Sequence, residues 1–183
     1  KIRHALWVQD LRRYGIACVE VDEYEEIDEI LRAVELRLAS RSVFVSGSFP
    51  EDVPDDQRSR IEDVARHVGR VIAEREKRLI SGFGLTVGSA AIAGALDVIL
   101  KEPAPNLEKS LLLRPFPQAA PAGLDLATFR TRYREGMIQH AGVAVFIGGL
   151  KVDAGSSALV AADGVIEEFE TAQHLGRVVV PVG

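Results

Sequence analysis

A chain of 183 residues has length for about one domain, or one and a fraction. Its 47% hydrophobic and 27% charged residues are the balance of a soluble globular protein, and the few aromatics (6%) beside 16 glycines favour an aliphatic α/β core with tight strand-to-helix turns. One cysteine, Cys18, excludes an internal disulfide framework and a cysteine-based zinc site, a net charge of −5 argues against nucleic-acid binding by bulk charge, and no apolar run reaches the ~18–20 residues of a membrane span.

The start, Lys1-Ile2-Arg3-His4, is not a signal peptide and carries no initiator Met, so the expectation is a piece of a longer cytoplasmic protein. Residues 1–40 predict a helix through Leu6, Trp7, Val8 and Leu11 that ends at Gly15, then a strand over Ile16–Val21. Asp22 would cap a second helix carrying Ile27, Ile30, Leu31, Val34 and Leu38 on one face. Forty residues are too few for a core of their own. They are expected to pack on the main domain or to be the tail of an upstream one.

From Ser42 the rhythm becomes strand, glycine-bearing turn, helix. Strands are predicted at Val43–Ser48, Leu79–Ser81, Ser110–Arg114, Val143–Ile147 and Val178–Val180, the third halted by Pro115-Phe116-Pro117 and the last closed by Pro181. Helices are predicted through Ile61–Ile72, Ala90–Leu100, Phe129–His140 and Gly164–Leu175. Leu150–Asp163 reads as irregular. Near-continuous Val/Ile/Leu strands alternating with helices predict a Rossmann-like parallel sheet with helices on both faces. Right-handed crossovers then bring the loops after the strands to one edge, where such folds bind ligands.

That edge would carry Ser46-Gly47-Ser48, Gly82-Phe83-Gly84 with Gly88, Arg114 with Phe116, and Gly148-Gly149. Gly82, Gly84 and Gly88 give G-x-G-x-x-x-G, one residue longer than the dinucleotide fingerprint. Such a loop either cradles a phosphate on backbone N–H groups at a helix N-terminus or is a tight packing turn. Arg134 is a fork for phosphate or carboxylate, or a solvated helix residue. Glu167 and Glu168 could accept ribose hydroxyls or simply favour the start of a helix, and Lys151 is a second candidate cation. The four histidines have no metal-ligand spacing, and no Ser-His-Asp set can be drawn.

The ordered runs Val43–Ser48, Ile80–Gly84 with Gly88, Tyr133–Met137, Ala144–Gly149 and Gly164–Phe169 together resemble the LOG/Smf/DprA-like (SLOG) fold over residues 42–183. Enzymes of that group are phosphoribohydrolases that cleave a nucleotide's N-glycosidic bond, using an arginine before the fourth strand and a G-G-x-G-T-x-x-E motif. This chain departs from the motif twice: an insertion separates Gly148-Gly149 from Gly164, and Val165 stands where the threonine would be. Leu113-Arg114-Pro115-Phe116-Pro117-Gln118, the Tyr133-Arg134…Met137 run, Gly149-Leu150-Lys151 and Gly164-Val165-Ile166-Glu167-Glu168-Phe169 are similar instead to the Sir2/TIR-associated SLOG subfamily, and Gly15–Leu38 to the end of a Sir2-type NADase domain.

That resemblance, to the sensor domains of Thoeris anti-phage effectors, implies a non-catalytic regulatory domain. It implies a signal ligand rather than a cofactor, a cyclic ADP-ribose isomer made by a TIR-domain protein. It further implies an attached Sir2-like NADase and a homo-oligomer, with neither nucleic acid nor membrane as partner. Arg134, Lys151 and Glu167 or Glu168 are the ligand contacts it implies, with the glycine loops and Gly164 around them and Phe83 or Phe116 against the base. A phosphoribohydrolase of the wider superfamily is the alternative, and a DNA-processing binder a more distant one.

Overall fold

The computed structural model describes residues 2–16, 18, 21, 25–50, 53–153, 155–156 and 158–183. The chain divides into two compact units, 1–35 and 36–183. In the first, α1 (Ile2–Arg13) ends as predicted at Gly15, at φ +75°. Gly15 N–H donates to Arg12 O and Ile16 N–H to Leu11 O, both at 3.0 Å, the paired bonds of a Schellman stop. The strand expected over Ile16–Val21 is not formed at Ile16, Cys18 or Val21; Ala17, Val19, Glu20 and the proposed cap Asp22 lie outside the described residues. Helix α2 (Glu25–Ala39) follows and crosses the boundary between the units.

The second unit is built on a five-stranded, wholly parallel sheet. Its strands are β1 (Ser42–Ser48), β2 (Arg78–Ser81), β3 (Leu111–Leu113), β4 (Val143–Gly148) and, at the far edge, β7 (Val178–Val182). The order is β3-β2-β1-β4-β7. The chain winds outward from β1 to β3 and then returns to lay β4 on the other side of β1. Folds of this kind open a crevice at such a switch point; here a cleft lies beside it, over the carboxyl ends of β1, β2 and β3.

Alternate side chains feed two cores, as period 2 requires. Val43, Val45, Leu79, Val145 and Ile147 pack with Ala65, Ile72, Val87, Ala91, Ile92, Ala95 and Ile99 of α3 (Asp55–Glu74) and α4 (Val87–Ile99). Phe44, Ile80, Ala144 and Phe146 pack on the other face with Met137 and Ile138 of α6 (Leu126–Ile138) and Ala172 of α7 (Asp163–His174). Helices therefore cover both faces.

Two glycines set the α3–α4 spacing. A Cβ on Gly69 would lie 1.8 Å from Ala91 O, and one on Gly94 1.8 Å from Arg66 O. Neither backbone oxygen can give way without the helices parting. Gly94→Ala is accordingly expected to destabilise the domain by about 1–3 kcal/mol, read as a lower midpoint in urea unfolding. A midpoint equal to the wild type's would mean that the helices separate freely.

Several elements differ from expectation. The irregular stretch Leu150–Asp163 contains an antiparallel hairpin, β5 (Leu150–Val152) with β6 (Leu159–Ala161). Its turn is held by the Asp153 carboxylate, which accepts from the N–H groups of Gly155 and Ser156 and from the Ser156 hydroxyl. Pro181 does not close β7, which runs on to Val182: the strand is an edge, with one side unpaired, so a missing N–H is tolerated. Helix α6 starts three residues before Phe129, because the Asp125 carboxylate caps it by accepting from Ala127 and Thr128 N–H, and it ends at Ile138, short of His140. A one-turn helix α5 (Leu107–Ser110), capped by Asn106, takes Ser110, the residue expected to start the third strand.

Candidate functional site

At the carboxyl edge of the sheet lies a cleft of about 420 Å³, within the ordinary size range of small-molecule sites. Ser46 and Gly47 come from the end of β1, Ser81 to Gly88 from β2 and the loop into α4, Pro115, Phe116 and Gln118 from the segment after β3, and Glu168 from α7. Gly47 is required by the sheet itself, since a Cβ there would stand 2.0 Å from Ile147 O of the neighbouring strand. Phe83 holds the turn between β2 and α4 at φ +60°, uncommon for an aromatic residue, and its N–H donates to Ser81 Oγ at 3.3 Å. Gly88 leaves room for that hydroxyl, which would be 3.0 Å from a Cβ.

The polar wall of the cleft is a carboxyl. Glu168 is only 7% exposed, and its Oε2 accepts from Ser46 Oγ at 2.5 Å. Burial raises its pKa from the usual carboxylate range to about 7; the Ser46 hydroxyl and the Arg134 charge oppose that rise, and the neighbouring Glu167 adds to it. Behind Glu168 sits Arg134, whose side chain is 14% exposed. Its Nε is 3.6 Å from Glu168 Oε1, its Nη1 donates to Glu167 Oε2 at 2.5 Å, and its guanidinium carbon lies 4.7 Å from the centre of the Phe116 ring. Thr131 donates its hydroxyl to the other oxygen of Glu167. Gly164 is the residue that lets the guanidinium reach α7: a Cβ there would be 2.9 Å from Arg134 Nη2. One cation thus joins two carboxylates and an aromatic ring beside the first turn of a helix.

Of the residues singled out in the sequence, Ser46, Gly47, Gly82, Phe83, Gly84, Gly88, Phe116 and Glu168 line the cleft. Arg134, Glu167 and Gly164 form the cluster behind Glu168. The remainder are placed differently. Arg114 Nη1 donates to Gly136 O at 3.1 Å and ties the end of β3 to α6. Ser48 donates to Leu150 O, Gly149 N–H donates to Ser48 O, and Gly148 and Gly149 take φ of +69° and +124° in the turn into the hairpin, so the loop after β4 is bonded back to β1 and does not wall the cleft. Lys151 on β5 pairs with Asp163 at 2.5 Å, in an exposed contact that contributes little to stability. Lys151→Ala should therefore leave the melting temperature unchanged, and a clear fall in a thermal scan would make the pair structural.

Val45, Ser81, Leu85, Pro115 and Gln118 also line the cleft. Ser81, Pro115 and Gln118 stand in the motifs that carry the family resemblance but are not among the candidate contacts: Ser81 is hidden by its place in a buried strand, and Gln118 opens a Pro/Ala-rich loop with no periodicity. Among the described residues no group of His, Cys, Asp and Glu side chains could hold a metal ion, and no helix is long and apolar enough to cross a membrane.

The model of the Sir2- and TIR-associating SLOG family matches residues 26–183. The chain is 33% identical over 181 residues to the NAD(+) hydrolase ThsA of Enterococcus faecium, covering 99% of this chain and 36% of that protein. It is 38% identical over 185 residues to the ThsA of Cytobacillus dafuensis, covering 100% of this chain and 37% of the relative. The chain thus spans little more than a third of the length of the relatives it matches. Among solved structures it is similar to the Moco carrier protein of Chlamydomonas reinhardtii, with a TM-score of 0.47 and 19% identity, covering 79% of this chain and 76% of that one.

Proposed function

The chain belongs to the Sir2- and TIR-associating SLOG family, and we propose that it is a regulatory domain that binds a cyclic ADP-ribose isomer in the cleft and does not cleave it. The observation that carries this reading is the Arg134–Glu167–Glu168 cluster, with Glu168 buried and Glu167 partly exposed, set against a glycine-walled cleft. A cyclic ADP-ribose isomer brings a pyrophosphate, two riboses and an adenine. The Arg134 fork and the backbone N–H groups of Gly82–Gly88 at the start of α4 suit the pyrophosphate. Glu168 with Ser46 suits ribose hydroxyls, and the Phe83 and Phe116 rings suit the base. Lys151, on the hairpin, adds a second cation when its exposed pair with Asp163 opens. The signal is then the product of a TIR-domain protein, the NADase it controls is an attached Sir2-like domain, and assembly is homo-oligomeric and cytoplasmic.

The experiment is calorimetric titration of the 183-residue chain with linear ADP-ribose, NAD and the cyclic ADP-ribose isomers, followed by chromatography of the mixtures. Binding of one cyclic isomer, recovered unchanged, is the expected result. No binding of any cyclic isomer would end the reading.

One feature favours a second reading. A buried cleft carboxyl titrating near 7 is tuned as a general acid or base. In a phosphoribohydrolase it would help water add across the N-glycosidic bond, releasing base and ribose phosphate. Val165 in place of a hydroxyl residue and the β5–β6 insertion weigh against this. Base released from AMP, incubated with the chain and chromatographed in the same way, and absent with Glu168→Gln, would establish it.

A further inference from the structure

The lining of the cleft is of two chemical kinds. Ser46, Gly47 and Glu168 are polar or small, whereas Phe83, Leu85, Pro115 and Phe116 are apolar, with a single carboxamide, Gln118, beside the last two in the chain. The apolar lining is held in place from α6. Tyr133 donates its hydroxyl to Pro115 O at 3.0 Å and sets its ring edge-on to Phe116 at 5.6 Å, while Arg134 covers that ring. A Cβ on Gly82 would come within 3.5 Å of the ring's Cδ2. A lining of aromatic and aliphatic groups with one carboxamide suits a heteroaromatic base.

Gln118 presents one edge of its amide in preference to the other. Its Nε2 donates to Phe116 O at 3.2 Å. Turning the amide over would set Oε1 against that carbonyl, two acceptors facing each other. The bond favours this orientation, and among the described residues neither Oε1 nor the second N–H of Nε2 has a protein partner. In this orientation one acceptor and one donor, side by side, match the N6 amino group and N7 of adenine. Hypoxanthine and guanine offer two acceptors, O6 and N7, along the same edge, so Oε1 would face a second oxygen.

We infer that Gln118 is a specificity-determining residue of the cleft, reading the nucleotide's base as adenine. The inference rests on the nucleotide reading above and goes beyond it in assigning the base to the apolar lining of the cleft and in its selectivity. A bidentate match of this kind discriminates by roughly ten- to a hundredfold.

The test titrates wild type and Gln118→Leu with the cyclic ADP-ribose isomers and with their hypoxanthine counterparts, made by deamination. Wild type is expected to bind the adenine form at least tenfold more tightly. Gln118→Leu should lose most of that affinity and bind both forms alike, at an unchanged melting temperature, because Gln118 is exposed. Equal binding of both forms by wild type, or selectivity retained by the leucine variant, overturns the role of Gln118 and leaves the nucleotide reading standing. A wild type that binds none of the probes overturns both.

Discussion

Replacing Arg134 by alanine is expected to lower affinity for the cyclic ADP-ribose isomers by a hundredfold or more while leaving the domain folded. Each charge-assisted bond to a phosphate oxygen is worth about 1.5–3 kcal/mol. A fork making two of them therefore accounts for at least two orders of magnitude in Kd. The cost to the unliganded fold is limited by proton uptake. Arg134 opposes the rise in the pKa of Glu168, so without it Glu168 holds its proton to still higher pH and no ionised carboxylate is stranded in the core. Glu167 is more exposed, keeps its bond from Thr131 and can turn to water. Arg134→Lys should be intermediate, since a point charge replaces a fork that bridges two carboxylates. Titration calorimetry gives the affinities and a thermal scan the fold. Collapse of the alanine variant at pH 6, where Glu168 is largely protonated, would make Arg134 a structural residue and remove it from the site.

The centre of the sheet was legible because its strands are buried on both faces. Val43-Phe44-Val45 and Val143–Ile147 are runs with no polar alternation, which only a covered parallel sheet accommodates. The hairpin was not legible, for the opposite reason. Its three-residue strands leave Leu150 and Leu159 exposed and bury too little to impose a pattern. Its order comes from a turn closed by the Asp153 side chain.

The site divides in a similar way. Glycines that a close approach forces, Gly47 and Gly164, mark it plainly in the sequence. The motif leaves Glu167 and Glu168 as alternatives, and helical phase decides which of them lines the cleft. Val165, Phe169 and Ala172 face the sheet, and Glu168 falls on their stripe, three residues after Val165 and four before Ala172. Glu167 is one step round, toward Thr131 and Arg134 on α6. Arg114 stands outside the cleft lining because its partner is a backbone carbonyl, Gly136 O, which no side-chain pattern announces.

That placement of Glu168 makes its own prediction, a pH-dependent one. Glu168→Gln should stabilise the unliganded domain at alkaline pH and do little below pH 5. The folded-state pKa, about 7, lies above the ordinary value of 4.5. The folded form thus binds the proton more tightly than the unfolded form. Its stabilising effect is complete below about 4.5 and is lost as pH rises through 7. By pH 8 the wild type has given up about 3 kcal/mol, at about 1.4 kcal/mol per unit of pKa difference. The glutamine carries no charge to bury and keeps an oxygen for the Ser46 hydroxyl. The gap in melting temperature between variant and wild type should therefore widen by roughly 5–10 °C between pH 5 and pH 8 for a domain of this size. A gap that stays constant across that range would mean that Glu168 is already ionised at pH 5, held so by Arg134. The neutral-pH proton that makes this carboxyl a candidate acid would then be gone, and the hydrolase reading would lose its one supporting observation.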